Sequence, residues 1–573
     1  MKQEKVILGI TAFNHDSSAC LIYNGEVVGF CEEERLNHIK HTGDFPFQAI
    51  DFCLKQAKLT INDVTDIAFY FNPSKCIKNY FKNNSLICYF LTPHIFIRKR
   101  FYYEAIWLLS FINKINSIKR LIKNKNIKIN YIDHHQCHIW YGYYASNFKN
   151  CSVISNDSVG ENISSLAINI REENGTLIFK ELFSQNDPHS LGYLYGAMTE
   201  FLGFKRGSDE GKVMALSALG TNRYSDYFDS AVKYLLNGEF RLNDNLIWQR
   251  NFQPKAQRVS DKFISKIGNY RKKEEKLTQI HYDIAYALQE IIEKVLHHQL
   301  NHINNDNIVI TGGVAQNSVA NGKMNNIFKQ KNIFIPPIPN DAGCSLGAAI
   351  ALHYKYFESM PSRKDTAFLA SDFSNDKIVK ILENNKIFFK KIDYSLEFMI
   401  NEIIKNKVIA IFRGKMECGP RALGNRSIIA NPINPRIKDY LNQKIKNREF
   451  FQPYGGLILD KWVKKIFDYK NESIKGKYMS FVYSVKKEWL VKFPSLVHYD
   501  KSCRIQIIEK NQDKFLEKLL EEFEKKTGVP LLINTSLNLR GQTIAQSPQD
   551  ALNTFYNSGI DHLIFNDSIL ISK

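Results

Sequence analysis

Residues 6–35, VILGITAFNHDSSACLIYNGEVVGFCEEER, read as short apolar runs interrupted at the polar run 14–18 and at Asn24-Gly25. Three strands are predicted. Asn-Gly between the second and third predicts a type I′ hairpin, since both central residues of that turn need positive φ. The pattern returns at 151–180, CSVISNDSVGENISSLAINIREENGTLIFK, with an Asp-bearing turn and a second Asn-Gly dipeptide. Helical sequence separates the two repeats. Tyr131-Ile132-Asp133-His134 opens one helix, with Asp133 as N-cap and the helix running on through WYGYYASNF. Residues 277–303 carry an apolar face at helical spacing and feed the strand NIVITGG.

Two such units separated by helices predict a duplicated α/β domain of the actin and hexokinase type, which binds a nucleotide between its halves. It is expected over 1–355. Residues 356–370 lose periodicity and read as a linker, and 371–573 form a second α/β domain of ordinary domain size. Within the first domain, 240–276 is charged, aperiodic and expected to be peripheral. The aromatic and basic stretch 75–130 is too broken by Pro93 and Arg98-Lys99-Arg100 to span a bilayer, so it is read as a helical layer, with a surface-seeking helix as the alternative.

Composition changes this picture little. At 573 residues the chain exceeds one hydrophobic core, and 44% hydrophobic with 24% charged is ordinary for a globular protein. Lys and Arg number 77 against 58 Asp and Glu, giving +19 and a preference for anionic partners. Ten scattered cysteines form no CxxC pair, and the N-terminus runs straight into a strand without a signal-peptide pattern. A cytoplasmic protein with reduced thiols is expected.

The densest candidate chemistry lies at 411–460. Arg413, Lys415, Arg421, Arg426, Lys446 and Arg448 supply cations, and Gly414, Gly419, Gly424, Pro420 and Pro432 supply the turns that let them converge. Arginine forks grip phosphates and carboxylates, so an anion site is predicted over a solvated basic loop. Elsewhere, His15 and Asp16 stand in a turn at a strand end, where His15 is either a general base or a backbone-bonded turn histidine. His134 and His138, four apart on one helical face, can share a metal once carboxylates complete the set. His298 and His302 repeat the spacing but continue an apolar face, so they are read as packing. Gly312 and Gly313 end a strand where backbone can pass close to an adenosine or phosphate, with Asn317 following.

These motifs, with GPRALGNRS at 419–427, HYDKSCRIQ at 498–506 and LLINTSLNLRGQ at 531–542, resemble the NodU/CmcH-type O-carbamoyltransferases over nearly the whole chain. That family includes the tobramycin carbamoyltransferase. The resemblance implies a YrdC-like C-terminal domain that makes carbamoyl-AMP from carbamoyl phosphate and ATP with Mg2+. It further implies an N-terminal cleft that passes the carbamoyl group to a hydroxyl of a sugar, glycan precursor or natural product. In this reading Arg421, Arg426, Lys446, Arg448 and Arg504 hold the anions, and Asn534 and Ser536 hydrogen-bond a ligand. Lys40, Gly312, Gly313 and Asn317 lie by the nucleotide. His134, His138, Asp157 and Asp341 bind Fe2+, and His15 with Asp16 activates the acceptor. Residues 190–220 resemble the wall on the acceptor side. Two departures stand out: Ser158 replaces the usual glycine, and Gln452-Pro453-Tyr454-Gly455-Gly456 replaces an Arg-Pro pattern. Two other readings are a tRNA threonylcarbamoyladenosine-type enzyme and a non-catalytic nucleotide-binding scaffold on a membrane. The motif order favours carbamoyl transfer, with no nucleic-acid partner.

Overall fold

The computed structural model describes residues 5–83, 95–123, 126–247, 257–469 and 476–573. The chain divides into two compact units. The first comprises Met1–Glu33, His41–Gln316 and Ile333–Lys364, and the second Glu34–Lys40, Asn317–Asn332 and Asp365–Lys573. The final passage from one to the other lies at Lys364/Asp365, and two earlier stretches, Glu34–Lys40 and Asn317–Asn332, belong to the second unit.

The first unit holds two five-stranded sheets. Strands β1 (Ile7–Thr11), β2 (Ser18–Tyr23), β3 (Glu26–Glu32), β4 (Asp66–Phe69) and β5 (Lys128–Tyr131) are ordered β3-β2-β1-β4-β5. The second sheet uses β6 (Asn150–Asn156), β7 (Ile163–Glu173) and β8 (Thr176–Asn186). A separate hairpin, β9 (Val232–Tyr234) with β10 (Phe240–Leu242), precedes β11 (Asn307–Thr311) and β12 (Asn332–Phe334), and the order is β12-β11-β6-β7-β8. Read from the far edge, each sheet is an antiparallel meander of three strands continued by crossover strands, and in each the first meander strand pairs parallel with the next strand inward. This is the predicted duplication. Both Asn-Gly turns are type I′ in hand, with φ of 51° and 70° at Asn24-Gly25 and 51° and 81° at Asn174-Gly175.

The helix Cys344–Phe357 packs on β1 and on the helix His134–Ser146. Small residues make this possible. A Cβ on Gly347 would lie 1.8 Å from the Cys137 carbonyl oxygen, and one on Gly9 would lie 2.0 Å from that of Ser345. The long helix forms as Gln279–Asn301 behind a Thr278/His281 capping box, and His298 spends its Nε2 on the Glu239 carbonyl, as packing predicts. Residues 73–83, 95–116 and 118–121 are helical, and no helix of the described residues is long and apolar enough to cross a membrane. Residues 84–94 of the aromatic and basic stretch, and 248–256 of the charged one, lie outside the described residues.

The second unit is built on a nine-stranded mixed sheet. Its strands are β13 (Lys390–Lys391), β14 (Ile409–Phe412), β15 (Arg426–Ala430), β16 (Gly455–Leu459), β17 (Val482–Ser484), β18 (Ser502–Ile508), β19 (Leu531–Ser536), β20 (His562–Phe565) and β21 (Ile569–Ser572). They are ordered β13-β21-β20-β14-β15-β19-β16-β18-β17. The inner strands are buried on both faces and read as near-continuous apolar runs. The borrowed helix Ser318–Ile327 lies on β17: a Cβ on Gly322 would meet the Val482 carbonyl at 2.0 Å, and Asn321 Nδ2 donates to the Ser480 carbonyl at 3.0 Å.

Candidate functional sites

In the first unit the Nε2 atoms of His134 and His138 face the carboxylates of Asp157 and Asp341. His138 Nε2 lies 3.1 Å from Asp157 Oδ2 and 3.6 Å from Asp341 Oδ1, and His134 Nε2 lies 3.7 Å from each of those two oxygens. All four residues are buried. Two imidazoles and two carboxylates converging at 3.1–3.7 Å match the spacing of ligand atoms around one cation, and both Nδ1 atoms lack a hydrogen-bond partner among the described residues. The residues present therefore fit a divalent metal. Cys344 Sγ joins His134, His138 and Asp341 as a fourth close ligand atom. Burial and then Asp341 push its thiol well above the ordinary range in the absence of a metal.

Asp133 stands at the N-cap of the His134–Ser146 helix but does not cap it. Its carboxylate is spent on Asn72 and Lys75. Glu161, from the loop after β6, takes the cap instead: its carboxylate accepts the His134 N–H at 3.0 and 3.2 Å and the Asn72 N–H at 2.7 Å. Glu161 therefore fixes the turn that carries the first histidine. Asp157 is steadied in the same manner, accepting the Ser158 N–H at 2.5 Å and the Gly313 N–H at 3.1 Å. The Ser158 departure thus leaves this backbone support intact.

That contact corrects the reading of the glycine pair. Gly313 donates to Asp157, and Gly312 donates to the Pro339 carbonyl at 2.8 Å, so neither N–H is available to a nucleotide. Gly312, at φ 86°, is required because a Cβ would sit 2.2 Å from the Asn156 carbonyl.

His15 Nδ1 lies 3.1 Å from Asp16 Oδ2, and its Nε2 lies 3.7 Å from Asp341 Oδ2. Burial favours the neutral ring, but Asp341, Asp16 and Asp157 outweigh it and raise His15 to about 10. Those carboxylates favour the protonated ring for as long as they carry their charge. Asp16 also accepts from His41 Nδ1 at 2.7 Å, and despite burial the two histidines hold it well below the usual carboxylate range. Through these contacts it orients both histidines.

In the second unit Arg421, Lys446, Arg448 and Arg504 form the cationic cluster. Burial lowers Arg421 to about 10. Burial, then Arg421 and Arg448, push Arg504 well below its ordinary value, and burial, Arg448 and Lys40 do the same to Lys446. Among the described residues none of the four pairs with a carboxylate. Lys446 Nζ is set by the Ser536 carbonyl at 2.5 Å and the Asn538 side chain at 2.8 Å, while Arg448 lies 4.1 Å over the Tyr454 ring and donates from Nε to Asn442 at 2.8 Å. Lys40, predicted near the nucleotide, reaches this cluster through its charge on Lys446. Gln452, the second departure, bonds Arg448 and Glu449.

Arg426 does not join them. Fully buried, it donates to the carbonyls of Arg413, Gly414, Asn425 and Ser371 and stacks 3.6 Å over Phe412, so it holds the loop and leaves the anion to its neighbours. Asn534 likewise faces protein, donating to the Ala422 carbonyl and to Gln506. Asn317 is the N-cap of the Ser318–Ile327 helix, accepting the Ala320 N–H at 3.0 Å. The organiser that sequence reading missed is Glu417. Its Oε1 accepts the backbone N–H groups of Leu423, Asn425 and Arg426 at 2.7, 2.7 and 3.0 Å, folding the loop that presents Arg421. As the one acid inside 411–427, it was the available signal.

An α/β chain with histidines and aspartates that fit a divalent metal in one unit and a cluster of cations in the other has the parts a group-transfer enzyme needs. Residues 6–350 match the family model for the carbamoyltransferase N-terminus and residues 400–573 that for the carbamoyltransferase C-terminus, so the chain belongs to the carbamoyltransferase family and is an enzyme of that kind. It is 30% identical over 606 residues to an uncharacterized protein of Synechocystis, sll1178, covering 98% of this chain and 96% of that one. It is 29% identical over 573 residues to the nodulation protein NolNO of Sinorhizobium fredii, covering 98% and 79%. Among solved structures it aligns with HypF of T.kodakarensis at a TM-score of 0.31 and 12% identity, over 62% of this chain and 48% of that one.

Proposed function

We propose that the protein is a cytoplasmic, ATP-dependent O-carbamoyltransferase that makes carbamoyl-AMP in its YrdC-like second unit and carbamoylates a hydroxyl in its first. The observation that carries this reading is the cluster of Arg421, Lys446, Arg448 and Arg504, Lys446 buried and the three arginines half-buried, with no carboxylate among the described residues to neutralise them. Cations held this way cost stability unless an anion joins them, and they suit the charge of transferring phosphoryl groups. Water cleaves carbamoyl phosphate to carbamate and inorganic phosphate; a carbamate oxygen then bonds to the α-phosphorus of Mg2+-ATP as the P–O bond to pyrophosphate breaks, giving carbamoyl-AMP and pyrophosphate. Arg421 and Arg504 take up charge on the donors, and Lys446 and Arg448 hold the leaving pyrophosphate.

In the first unit His134, His138, Asp157 and Asp341 would hold Fe2+ or a similar divalent ion, which supplies Lewis acidity toward the carbonyl and phosphate oxygens of the adenylate. Asp16 keeps His15 turned toward Asp341. His15 accepts the proton of the acceptor hydroxyl once the charge of its carboxylate neighbours is taken up, the carbamoyl carbon bonds to that oxygen, and AMP leaves. The acceptor is a hydroxyl-bearing sugar, glycan precursor or natural product. The test is pyrophosphate release from ATP. Release should require carbamoyl phosphate, and an equal rate without it would refute the scheme.

A further inference from the structure

A groove of about 640 Å3 opens in the first unit between the end of β8 and the β9–β10 hairpin. Among its lining residues are Asn186, Asp187, Lys233, Glu239, Arg241 and Asn243. It lies at a chemically relevant end of the sheet. Asn186 pairs with Ile163, the first residue of β7, and that end of β7 lies beside the end of β6 that leads into Asp157. The chain leaving the groove is tied to the same place: Ser164 Oγ donates to the His189 carbonyl at 2.6 Å, and Ser190 Oγ donates to the Asp157 carbonyl at 3.0 Å. Ligands of open α/β sheets gather at such strand ends.

The hairpin presents two cations in an unfavourable arrangement. Lys233 and Arg241 are directly opposite each other across β9 and β10, where like charges destabilise the pairing. Both are exposed, and neither makes a hydrogen bond or ion pair among the described residues. Val232 and Leu242, which also line the groove, are buried, so the hairpin that carries the two cations is anchored at its wall. Beside burial, the charge of Arg241 helps hold the His189 imidazole below its ordinary value, which places that charge over the groove floor. A merely solvated hairpin would alternate signs or carry one lysine. Here paired cations line a recess whose other walls include amides and carboxylates, groups that accept from and donate to sugar hydroxyls, beside His189, Ser230 and apolar Ala231, Val232 and Leu242.

We infer that this groove binds the acceptor, and that the acceptor is an anionic sugar, with its phosphate on Lys233 and Arg241 and its hydroxyls on Asn186, Asp187, Glu239 and Asn243. The inference rests on the carbamoyl-transfer reading above and adds the chemical class of its substrate. A sugar monophosphate and a nucleotide sugar share this chemistry, and separate arms of the test distinguish them.

The experiment is calorimetric titration of the full chain with glucose, glucose 6-phosphate and UDP-glucose. It is done in an Arg421→Ala background so that the cationic cluster of the second unit does not mask the groove. Each titration is repeated with Lys233→Ser and Arg241→Ser added; both positions are exposed and their replacement relieves a repulsion, so folding is not at risk. At least one anionic sugar should bind ten times more tightly than glucose, and the double substitution should weaken it at least tenfold. No binding of either anionic sugar at millimolar concentration, equal binding of glucose, or indifference to the double substitution overturns the inference. Pyrophosphate release by the unsubstituted chain is measured in parallel. If it occurs without carbamoyl phosphate the transfer reading fails, whereas normal release with an indifferent groove removes the acceptor assignment alone.

Discussion

Glu417→Ala removes the acceptor of three backbone hydrogen bonds at a fully buried position. A hydrogen bond to a charged group contributes roughly 1.5–3 kcal/mol, and a buried donor left unsatisfied costs roughly 1–3 kcal/mol. The three share one oxygen and are not additive, so the loop should lose about 3–5 kcal/mol. That is a large part of the ~5–15 kcal/mol that holds a typical domain together. Glu417→Gln keeps an acceptor oxygen and loses the charge, for about 1–2 kcal/mol. Because the chain has two units, global unfolding is not a clean two-state measure. Hydrogen exchange of peptides covering 417–430 reads the loop directly. At about 1.4 kcal/mol per tenfold, the alanine variant should exchange there roughly a hundredfold faster or more, and the glutamine variant about tenfold. Exchange in Glu417→Ala within threefold of the unsubstituted chain would refute the claim that this carboxylate folds the loop.

Arg421→Ala should abolish pyrophosphate release, whereas His15→Ala should retain it and lose carbamoyl transfer, both read by product analysis; the reverse pattern would exchange the roles of the two units. His134→Ala should lose stoichiometric iron by elemental analysis, and Glu161→Gln should lower metal affinity by about ten- to a hundredfold with the ligands unchanged. Acidification should destabilise the second unit through His498, which burial lowers to about 4. The unfolded chain takes up that proton near pH 6.5 and the folded one only near 4, so stability falls as pH drops through this window. Urea midpoints should decline from pH 6.5 to 4 and decline less in His498→Gln.

Local pattern disclosed what local physics decides. The Asn-Gly turns, the repeated meander, the HxxxH face and the arginine-rich window each depend on neighbours a few residues away. The remaining features depend on partners far along the chain. Nothing in the spacing of Arg421 and Arg426 separates the cation free to meet a ligand from the one consumed by four carbonyls. Asp133 has the composition of a helix cap, yet Glu161, 28 residues later, outcompetes it because Lys75 and Asn72 claim the aspartate. The glycine pair at 312–313 reads equally well as a phosphate loop or as a close approach of strands, and only the partners of its amides decide.

The discontinuous make-up of the second unit governs how it can be made. Residues 34–40 and 317–332 leave the ribosome long before the nine-stranded sheet of the unit they belong to. A fragment starting at 365 would lack the helix that covers β17, exposing a strand edge prone to aggregation. Residues 1–364 released alone would carry that helix with nothing to sit on. Biosynthesis therefore cannot finish the C-terminal half as an autonomous module, and domain-swapped hybrids with relatives would have to carry all three segments together.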